Sequence, residues 1–345
     1  MKQKVLITGG TGFLGIHLAR KFSHEGFDVV LFDLAPLEAK DLHSKVSVIK
    51  GDVRNKKSVL QAMKGCTHVV HAAAALPILR KKRKIFSINV DGTKVVLDAA
   101  LTHSIKRFVY ISSTAVYGVP QNLPEKEESP LNPIGYYGQS KVLAERLCQD
   151  YMRKGLSINI LRPKTFLGPE RLGVFTLWFE AIYSGRRVFL LGNGKNKYQL
   201  LAVSDVVDAV YKAATSSVEN EIFNLGAKVF QTWRKDLQYL IRYDKSSSKI
   251  TGLPIRPSQM ILKILETLNL SPLSEWHYKT LPVPSYVSIE KAEKLLQWHP
   301  KKSNQDLLLE SYLWYKKHRN NLLHKTGTTH RVGWNFKLIN LLTKL

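Results

Sequence analysis

Short apolar runs alternate with helix-length segments from the first residues of the chain onward. The runs are rich in Val, Ile and Phe, and they are continuously apolar instead of alternating between apolar and polar positions. They are KVLIT, DVVLFD, VSVIKGD, THVVHAA, RFVYISS and SINILRP. Strands of this kind, separated by helices, are typical of a parallel sheet that is covered on both faces. The sequence therefore predicts an α/β fold with a doubly wound parallel sheet.

The regular alternation ends near Gly168, which divides the chain into three expected parts. Residues 1–168 form the doubly wound domain, and residues 169–315, punctuated by Pro and Gly, form a smaller substrate-binding region. The run EIFNLG, residues 221–226, is predicted to be a strand that returns to the main sheet, so the two regions are interleaved. Residues 316–345 are expected to form a basic amphipathic tail.

The 345-residue chain carries a large excess of positive charge, because 52 Lys and Arg stand against 27 Asp and Glu, leaving +25. This balance favours anionic partners such as nucleotides, acidic lipid or nucleic acid, although a lysine-rich proteome produces it without any function. Two cysteines, Cys66 and Cys148, cannot form a disulfide framework, so we expect a cytoplasmic protein. No apolar stretch reaches the roughly 18 residues that span a bilayer, which leaves peripheral contact with the inner face of a membrane as an alternative.

The first predicted strand runs into TGGTGFLG, residues 8–15, and a helical segment follows. Glycines at positions 9, 12 and 15 allow a tight turn and a close approach of the backbone to a pyrophosphate, which the N–H groups of the helix start would face. The second strand ends in Asp33, 18 residues beyond Gly15. A carboxylate there accepts hydrogen bonds from ribose hydroxyls and repels a 2′-phosphate, so the sequence predicts a Rossmann-like domain that binds NAD in preference to NADP.

A second motif, YYGQSK, places Tyr137 and Lys141 four residues apart, on one face of a helix that begins there. A nearby ammonium group favours the phenolate and lowers the pKa of the tyrosine toward the range of a general base. The fifth strand ends in YISSTAVYG, so Ser112, Ser113 and Thr114 are expected at the ligand-binding edge of the sheet. A hydroxyl group there can hold a substrate oxygen.

Together these residues resemble the extended short-chain dehydrogenases/reductases, also called NAD-dependent epimerases/dehydratases. The resemblance covers nearly the whole chain, through TGGTGFLG, GDV, HAAA, NVDGT, SSTAVYG, YYGQSK, LRPKTFLGP and KAEKLLQWHPK in that order. It implies that Ser113, Tyr137 and Lys141 are catalytic and that no metal is needed. The implied cofactor-binding residues are Gly9, Gly12, Phe13, Leu14, Gly15, Asp33, Asp52, Val53, Ala72, Ala73, Ala74, Asn89, Tyr137, Lys141 and Pro163.

The resemblance also assigns roles. Asp52 and Val53 would border the adenine, Ala72–Ala74 would line the cofactor, and Asn89 would lie near the nicotinamide ribose. Tyr137 would remove the proton of a substrate alcohol while hydride leaves for NAD, and Ser113 would hydrogen-bond the same oxygen.

Two departures from the family pattern bear on the reaction and the substrate. Dehydratases of the family carry an Asp-Glu pair where this chain has Thr114 and Ala115, which favours dehydrogenation, reduction or 4-epimerisation over dehydration. Many sugar-nucleotide enzymes carry an Arg that clamps the diphosphate where this chain has Tyr198, and some epimerases have an Asn in place of Thr165. Lys197, beside Tyr198, could supply charge without the planar fork of an arginine.

Three interpretations of the function follow. We favour an NAD-dependent epimerase or dehydrogenase acting on a secondary alcohol of a sugar or nucleotide sugar. The alternative within the family is a 3β-hydroxysteroid- or lipid-type alcohol dehydrogenase, because residues 192–210 resemble that branch. A third, non-catalytic interpretation is a dinucleotide-binding scaffold that contacts nucleic acid, but a binding module needs no general base.

The end of the chain carries a predicted amphipathic helix. Its apolar face, flanked by Lys337 and Lys344, consists of Trp334, Leu338, Leu341, Leu342 and Leu345. Such a helix can lie in an anionic membrane surface or dock on the protein body or a second subunit. We expect a homodimer, keep membrane contact through the tail as an alternative, and do not expect nucleic acid as a partner.

Overall fold

The computed structural model describes residues 3–39, 41–77, 79, 81–170, 173–268, 271 and 273–323. The strands are β1 (Lys4–Thr8), β2 (Asp28–Asp33), β3 (Val46–Lys50), β4 (His68–His71), β5 (Arg107–Ile111), β6 (Ile158–Pro163), β7 (Phe166–Leu167), β8 (Val188–Leu191), β9 (Leu201–Ala202), β10 (Ile222–Leu225) and β11 (Ile250–Leu253). The helices are α1 (Phe13–His24), α2 (Lys56–Met63), α3 (Lys82–Phe86), α4 (Gly92–Thr102), α5 (Gly135–Arg153), α6 (Phe175–Tyr183), α7 (Val203–Thr215), α8 (Trp233–Tyr243), α9 (Ile255–Thr267), α10 (Glu275–Thr280), α11 (Glu290–Leu295) and α12 (Asn304–Leu323).

The central sheet has seven strands in the order β10-β6-β5-β4-β1-β2-β3, and all neighbouring strands are parallel. The predicted doubly wound parallel sheet is therefore confirmed, and each of the six predicted apolar runs contains one of its strands. The strand expected within residues 221–226 is β10, which pairs with β6. The strand order reverses beside β1, so a crevice opens where β1 and β4 end, the usual ligand position in such sheets.

The apolar runs are continuous because side chains on both faces of the sheet are buried. On β1, Val5 and Ile7 pack into a core with α1 and α7, whereas Leu6 packs into a second core with α2, α4 and α5. Since successive side chains of a strand point to opposite faces, a strand covered on both sides needs apolar residues at every position.

A third core belongs to the smaller region. It joins α6, β8 and α8 to α12, with Phe179, Trp233 and Tyr312 among its buried side chains. Helix α12 continues past residue 316, and Arg319 pairs with Glu180 of α6 at 2.7 Å. Residues 316–323 thus pack with the smaller region. The predicted apolar face from Trp334 onward lies outside the described residues.

Helix α9 is unlike the other helices of this region, because none of its residues is buried. Met260, Ile261 and Ile264 are each more than half exposed. Among the described residues, no helix is both long enough and apolar enough to cross a membrane.

Candidate active site

The glycine loop joins β1 to α1 at the crevice. Gly9 has a φ of +68°, and a Cβ atom there would lie 2.8 Å from the backbone nitrogen of Ala73. A Cβ at Gly15 would overlap the carbonyl oxygen of Gly9. Glycine is therefore required at both positions, so that the loop lies directly against the segment after β4 and α1 packs on its turn.

The start of α1 offers backbone donors to an anion. Gly12 precedes the helix and provides no side-chain cap, and among the described residues a Cβ there would meet only the Gly9 oxygen, at 3.1 Å. The side chains of Phe13 and Leu14 are buried in the core, so these two predicted cofactor residues can meet a ligand through their backbone only. An open space in front of uncapped N–H groups fits a pyrophosphate.

Asp33 ends β2 beside the glycine loop. Its Oδ2 accepts a hydrogen bond from the Thr11 amide and its Oδ1 accepts one from the Ala35 amide, both at 3.1 Å. These bonds hold the carboxylate at the loop, where a dinucleotide places the adenosine ribose. The loop, the helix start and this carboxylate together fit NAD.

His71 fastens the other wall of the crevice. Its Nδ1 lies 2.6 Å from Thr8 Oγ1 and its Nε2 lies 2.9 Å from Thr93 Oγ1, so the ring links β1, β4 and α4. Complete burial lowers the pKa of His71 to about 3, which keeps the ring neutral. The Ala72 and Ala73 amides also bond to Thr8, through its carbonyl and its hydroxyl oxygen. The predicted lining segment Ala72–Ala74 is thereby held beside Gly9.

The predicted adenine contacts follow β3. The Asp52 carboxylate pairs with the guanidinium group of Arg54, which lowers the pKa of Asp52. Val53 is buried, and a Cβ at Gly92 would lie 2.8 Å from its Cγ2. Both residues lie on the cofactor side of the sheet, and their contact with adenine stays a prediction.

The motif predicted to be catalytic lies at the start of α5, which begins at Gly135, one residue before YYGQSK. Lys141 follows Tyr137 by one turn, and its Nζ lies 5.9 Å from the Tyr137 ring centroid. The same ammonium group donates to the Ile111 carbonyl oxygen at 2.7 Å, two residues before Ser113. Lys141 therefore joins the start of α5 to the end of β5 and brings Tyr137 toward Ser113.

The two serines that follow β5, Ser112 and Ser113, have different surroundings. Ser112 is buried and its hydroxyl donates to Glu145, away from the crevice. Ser113 is only half-buried, and its Oγ accepts a hydrogen bond from the Ala115 amide at 3.1 Å. The hydroxyl hydrogen of Ser113 is thus available for a substrate oxygen. A Cβ at Gly138 would lie 2.8 Å from the Ala115 carbonyl oxygen, so α5 packs closely on this segment.

The charge of Lys141 depends on its surroundings. Burial lowers its pKa to about 8, while Glu145, one turn further along α5, raises it. Lys141 is therefore still protonated in the majority of molecules at neutral pH, where a cation beside Tyr137 favours the phenolate.

Asn89 lies in a single turn of π-helix, Ser87–Asp91, a distortion often found at functional sites. Its Oδ1 accepts from the Ala75 amide at 2.7 Å, and its Nδ2 donates to the Ala75 carbonyl at 3.0 Å and to Ser140 Oγ at 2.9 Å. Ser140 in turn donates to the Tyr137 carbonyl oxygen at 2.7 Å. Asn89 thus positions the Ala75 backbone and α5, and its contact with the nicotinamide ribose stays a prediction.

A buried charge network that we did not predict supports this site. Arg162 of β6 and Glu145 of α5 form an ion pair at 2.7 Å, with side chains only 3% and 2% exposed. Arg162 also donates to Tyr117 Oη at 2.8 Å. A charged residue in the otherwise apolar run SINILRP was the available signal, because arginine is buried almost only where it is paired. Pro163, the next residue, is buried at the end of β6.

The residues that depart from the sugar-nucleotide pattern are clustered. Tyr198 is buried, its ring is stacked on Trp233 with centroids 4.5 Å apart, and its hydroxyl interacts with Thr165 and Thr280. Lys197 is exposed. The position of the diphosphate-clamping arginine is therefore occupied by a buried aromatic ring.

Comparison with known proteins gives relatives along the whole chain. A Sinorhizobium fredii protein, "Uncharacterized protein y4nG", is 34% identical over 339 residues, covering 98% of this chain and 85% of that protein. UDP-N-acetyl-alpha-D-glucosaminuronate decarboxylase of Bacillus cytotoxicus is 27% identical and covers 93% of this chain and 100% of that protein. The mouse sterol-4-alpha-carboxylate 3-dehydrogenase (decarboxylating) is 26% identical, and the match covers 86% of this chain and 87% of that protein.

Among solved structures, the UDP-glucose 4-epimerase of Thermotoga maritima with UDP-glucose superposes with a TM-score of 0.78 at 23% identity, covering 92% of this chain and 100% of that one. This similarity supports the Rossmann-like fold. The family model described as "NAD dependent epimerase/dehydratase family" matches residues 5–226. The glycine loop, Asp33 and the Ser113, Tyr137 and Lys141 arrangement all lie within the matched residues. The chain therefore belongs to the NAD-dependent epimerase/dehydratase family, within the extended short-chain dehydrogenases/reductases, and is an enzyme whose cofactor is NAD.

Proposed function

We propose that the protein acts on a secondary alcohol of a nucleotide sugar, by epimerisation or net dehydrogenation. The observation that carries the proposal is the convergence of Ser113, Tyr137 and Lys141 beside the dinucleotide cradle. A UDP-sugar decarboxylase among the relatives and a UDP-glucose epimerase among the solved structures support the substrate class.

Each of the three side chains has a distinct task. Tyr137 takes the proton from the substrate hydroxyl group, and Ser113 donates a hydrogen bond to the same oxygen. The ammonium group of Lys141 stabilises the phenolate form of Tyr137. NAD, when bound, supplies the hydride acceptor.

Dehydration is not part of the proposal. Thr114 donates its hydroxyl to the Pro163 carbonyl oxygen at 3.4 Å, and Ala115 carries only a methyl group. Neither side chain can protonate a leaving hydroxyl group or remove a second proton as a carboxylic acid and carboxylate pair would. This leaves chemistry at a single alcohol carbon.

A hydroxysteroid or other lipid alcohol is the second candidate. Tyr198 supports it, because a buried tyrosine in place of the arginine removes the bidentate diphosphate contact. The sterol dehydrogenase among the relatives supports it as well. NADH absorbance with UDP-glucose and with a 3β-hydroxysteroid, together with an assay for the C4 epimer, separates the two candidates, because epimerisation gives no net NADH.

Replacing Tyr137 by Phe tests the general base. Turnover of whichever substrate is active should fall about a hundredfold to ten-thousandfold, while the dissociation constant of NAD stays nearly unchanged, since only the proton-transferring oxygen is lost. Tyr136→Phe is the matched control, because that neighbouring ring is 45% exposed. Near-native turnover in Tyr137→Phe would exclude the proposed mechanism.

We also propose a homodimer with peripheral membrane contact. The exposed apolar side chains of α9 support association of this face with another surface, and the basic sequence of the tail supports contact with an anionic membrane. Light scattering would give the oligomeric state. Co-sedimentation with anionic and neutral vesicles, for the full chain and for a chain truncated after Gly327, would test the tail.

A further inference from the structure

Lys164 is a buried lysine that the proposed chemistry does not use. It immediately follows β6, and only 4% of it is exposed. Lysine is almost never buried to this extent without a counter-charge, because removing an ammonium group from water is costly. Its presence in the interior therefore calls for a functional or structural reason.

The contacts of Lys164 leave part of its hydrogen-bonding capacity unused. Its Nζ donates to Ser285 Oγ at 2.6 Å and lies 4.8 Å from the centroid of the Tyr198 ring. Glu125 acts on it electrostatically, yet within the described residues the hydrogen bond of the ammonium group goes to a serine hydroxyl and not to a carboxylate. Glu125 Oε1 instead accepts from the Gln121 amide at 3.0 Å.

The position of Lys164 relates it to the reacting groups. It lines a narrow cleft with Thr114, Gly118, Glu125, Trp276 and Ser285. Thr114 is the residue after Ser113, and its hydroxyl is bonded to the carbonyl of Pro163, the residue before Lys164. Lys164 therefore lines a cleft whose wall includes Thr114, the residue next to the proposed catalytic serine.

Lys164 also lies against the face of Tyr198, the residue that stands in place of the diphosphate-clamping arginine. Lys197 is exposed, so the buried lysine beside Tyr198 is Lys164, the residue that follows β6. We propose that Lys164 binds an anionic oxygen of the substrate, from either a carboxylate near the reacting carbon or the diphosphate, and that it sets specificity for acidic substrates.

This proposal rests on the proposed function, because it names a charge that the substrate of that site must carry. Burial lowers the pKa of Lys164 to about 7, so a bound anion would also hold the lysine in its charged form. If Lys164 only tied β6 to the segment around Ser285, its removal would alter stability and leave substrate affinity unchanged.

The test uses the NAD-loaded protein and two probes that differ at one carbon, UDP-glucose and UDP-glucuronic acid. Isothermal titration gives the dissociation constant of each probe for wild type, Lys164→Met and Lys164→Gln. The second variant keeps a hydrogen-bond donor for Ser285 if the first fails to fold. Lys317→Met is the matched control, since Lys317 is exposed on α12.

Loss of a charge-assisted contact should weaken binding about tenfold to a hundredfold. If the Lys164 variants bind only UDP-glucuronic acid more weakly than wild type does, the group bound by Lys164 is the carboxylate. If they bind both probes more weakly by the same factor, the bound group is the diphosphate. Unchanged affinities in both Lys164 variants would overturn the inference while leaving the proposed function intact. Failure of both probes to bind the wild-type protein, when NAD does bind, would overturn the proposed function itself.

Discussion

Glu145→Gln is expected to destabilise the protein strongly, because it removes the negative charge beside two buried cations, Arg162 and Lys141. The Glu145 carboxylate accepts hydrogen bonds from Arg162 Nε at 3.0 Å, from Arg162 Nη2 at 2.7 Å and from the Ser112 hydroxyl. Removing one partner of a buried ion pair costs about 3–5 kcal/mol, since the other charge remains buried and uncompensated. This is a large part of the roughly 5–15 kcal/mol that stabilises a typical protein.

Urea unfolding at pH 7, followed by tryptophan fluorescence, would measure the loss. Arg162→Met should be similarly destabilised, and the double variant should lose less than the sum of the two single variants. Glu25→Gln is the control, because Glu25 forms an exposed ion pair with Lys21 on α1, and it should leave the unfolding midpoint unchanged. An unfolding free energy of Glu145→Gln within about 1 kcal/mol of wild type would refute the reasoning.

The same substitution should change catalysis in a way that a purely structural effect would not. Glu145 raises the pKa of Lys141, so its neutralisation should lower that pKa further below about 8. The fall in kcat/KM at alkaline pH should then move to lower pH in Glu145→Gln. An unchanged pH profile in folded variant protein would show that the Glu145 charge does not reach Lys141.

Three further perturbations test separate parts of the site. Gly9→Ala should weaken NAD binding and lower the melting temperature, because φ is +68° and the added Cβ would lie 2.8 Å from the Ala73 nitrogen; fluorescence quenching and thermal melts would measure both. His71→Gln should reduce the loss of stability in acid. The pKa of His71 falls from about 6.5 in the unfolded chain to about 3 in the folded protein, so the unfolded state binds a proton first. The wild type therefore loses stability as pH falls from 6.5 toward 3, and a glutamine, which does not titrate, removes this loss. The urea midpoint of each protein would be measured at pH 7 and at pH 4.5. An equal fall in midpoint for wild type and His71→Gln would contradict this prediction. In the wild type, kcat/KM should decline above pH 8 as Lys141 loses its proton, and Lys141→Arg should move that decline to higher pH if it retains activity.

The sequence could predict what depends on local pattern. Residues 107–111 and 158–163 form strands because their side chains are apolar, and Tyr137 and Lys141 share a helix face because they are four residues apart. Long-range pairing was not predictable in this way. Glu145 and Arg162, 17 residues apart in the chain, meet only because β5 and β6 are neighbours under α5. The family resemblance indicated Ser113, but the hydrogen bond that holds the Ser112 hydroxyl against Glu145 was not visible in the sequence.

The hydrogen bonds around His71 have a fixed direction. The Thr93 hydroxyl donates to the Asn89 carbonyl oxygen at 2.7 Å, so its oxygen must accept from His71 Nε2–H. Nδ1 is then the acceptor for the Thr8 hydroxyl, whose oxygen accepts from the Ala73 amide at 3.3 Å. The imidazole is thereby confined to one tautomer, and all four bonds are aligned from Ala73 to Asn89. Protonating the ring would add a donor at Nδ1, so the Thr8 hydroxyl hydrogen would have to turn away, while the Nε2 bond to Thr93 would stay. A single proton would therefore disturb the link between β4 and the glycine-loop end of β1 and leave the link to α4 in place.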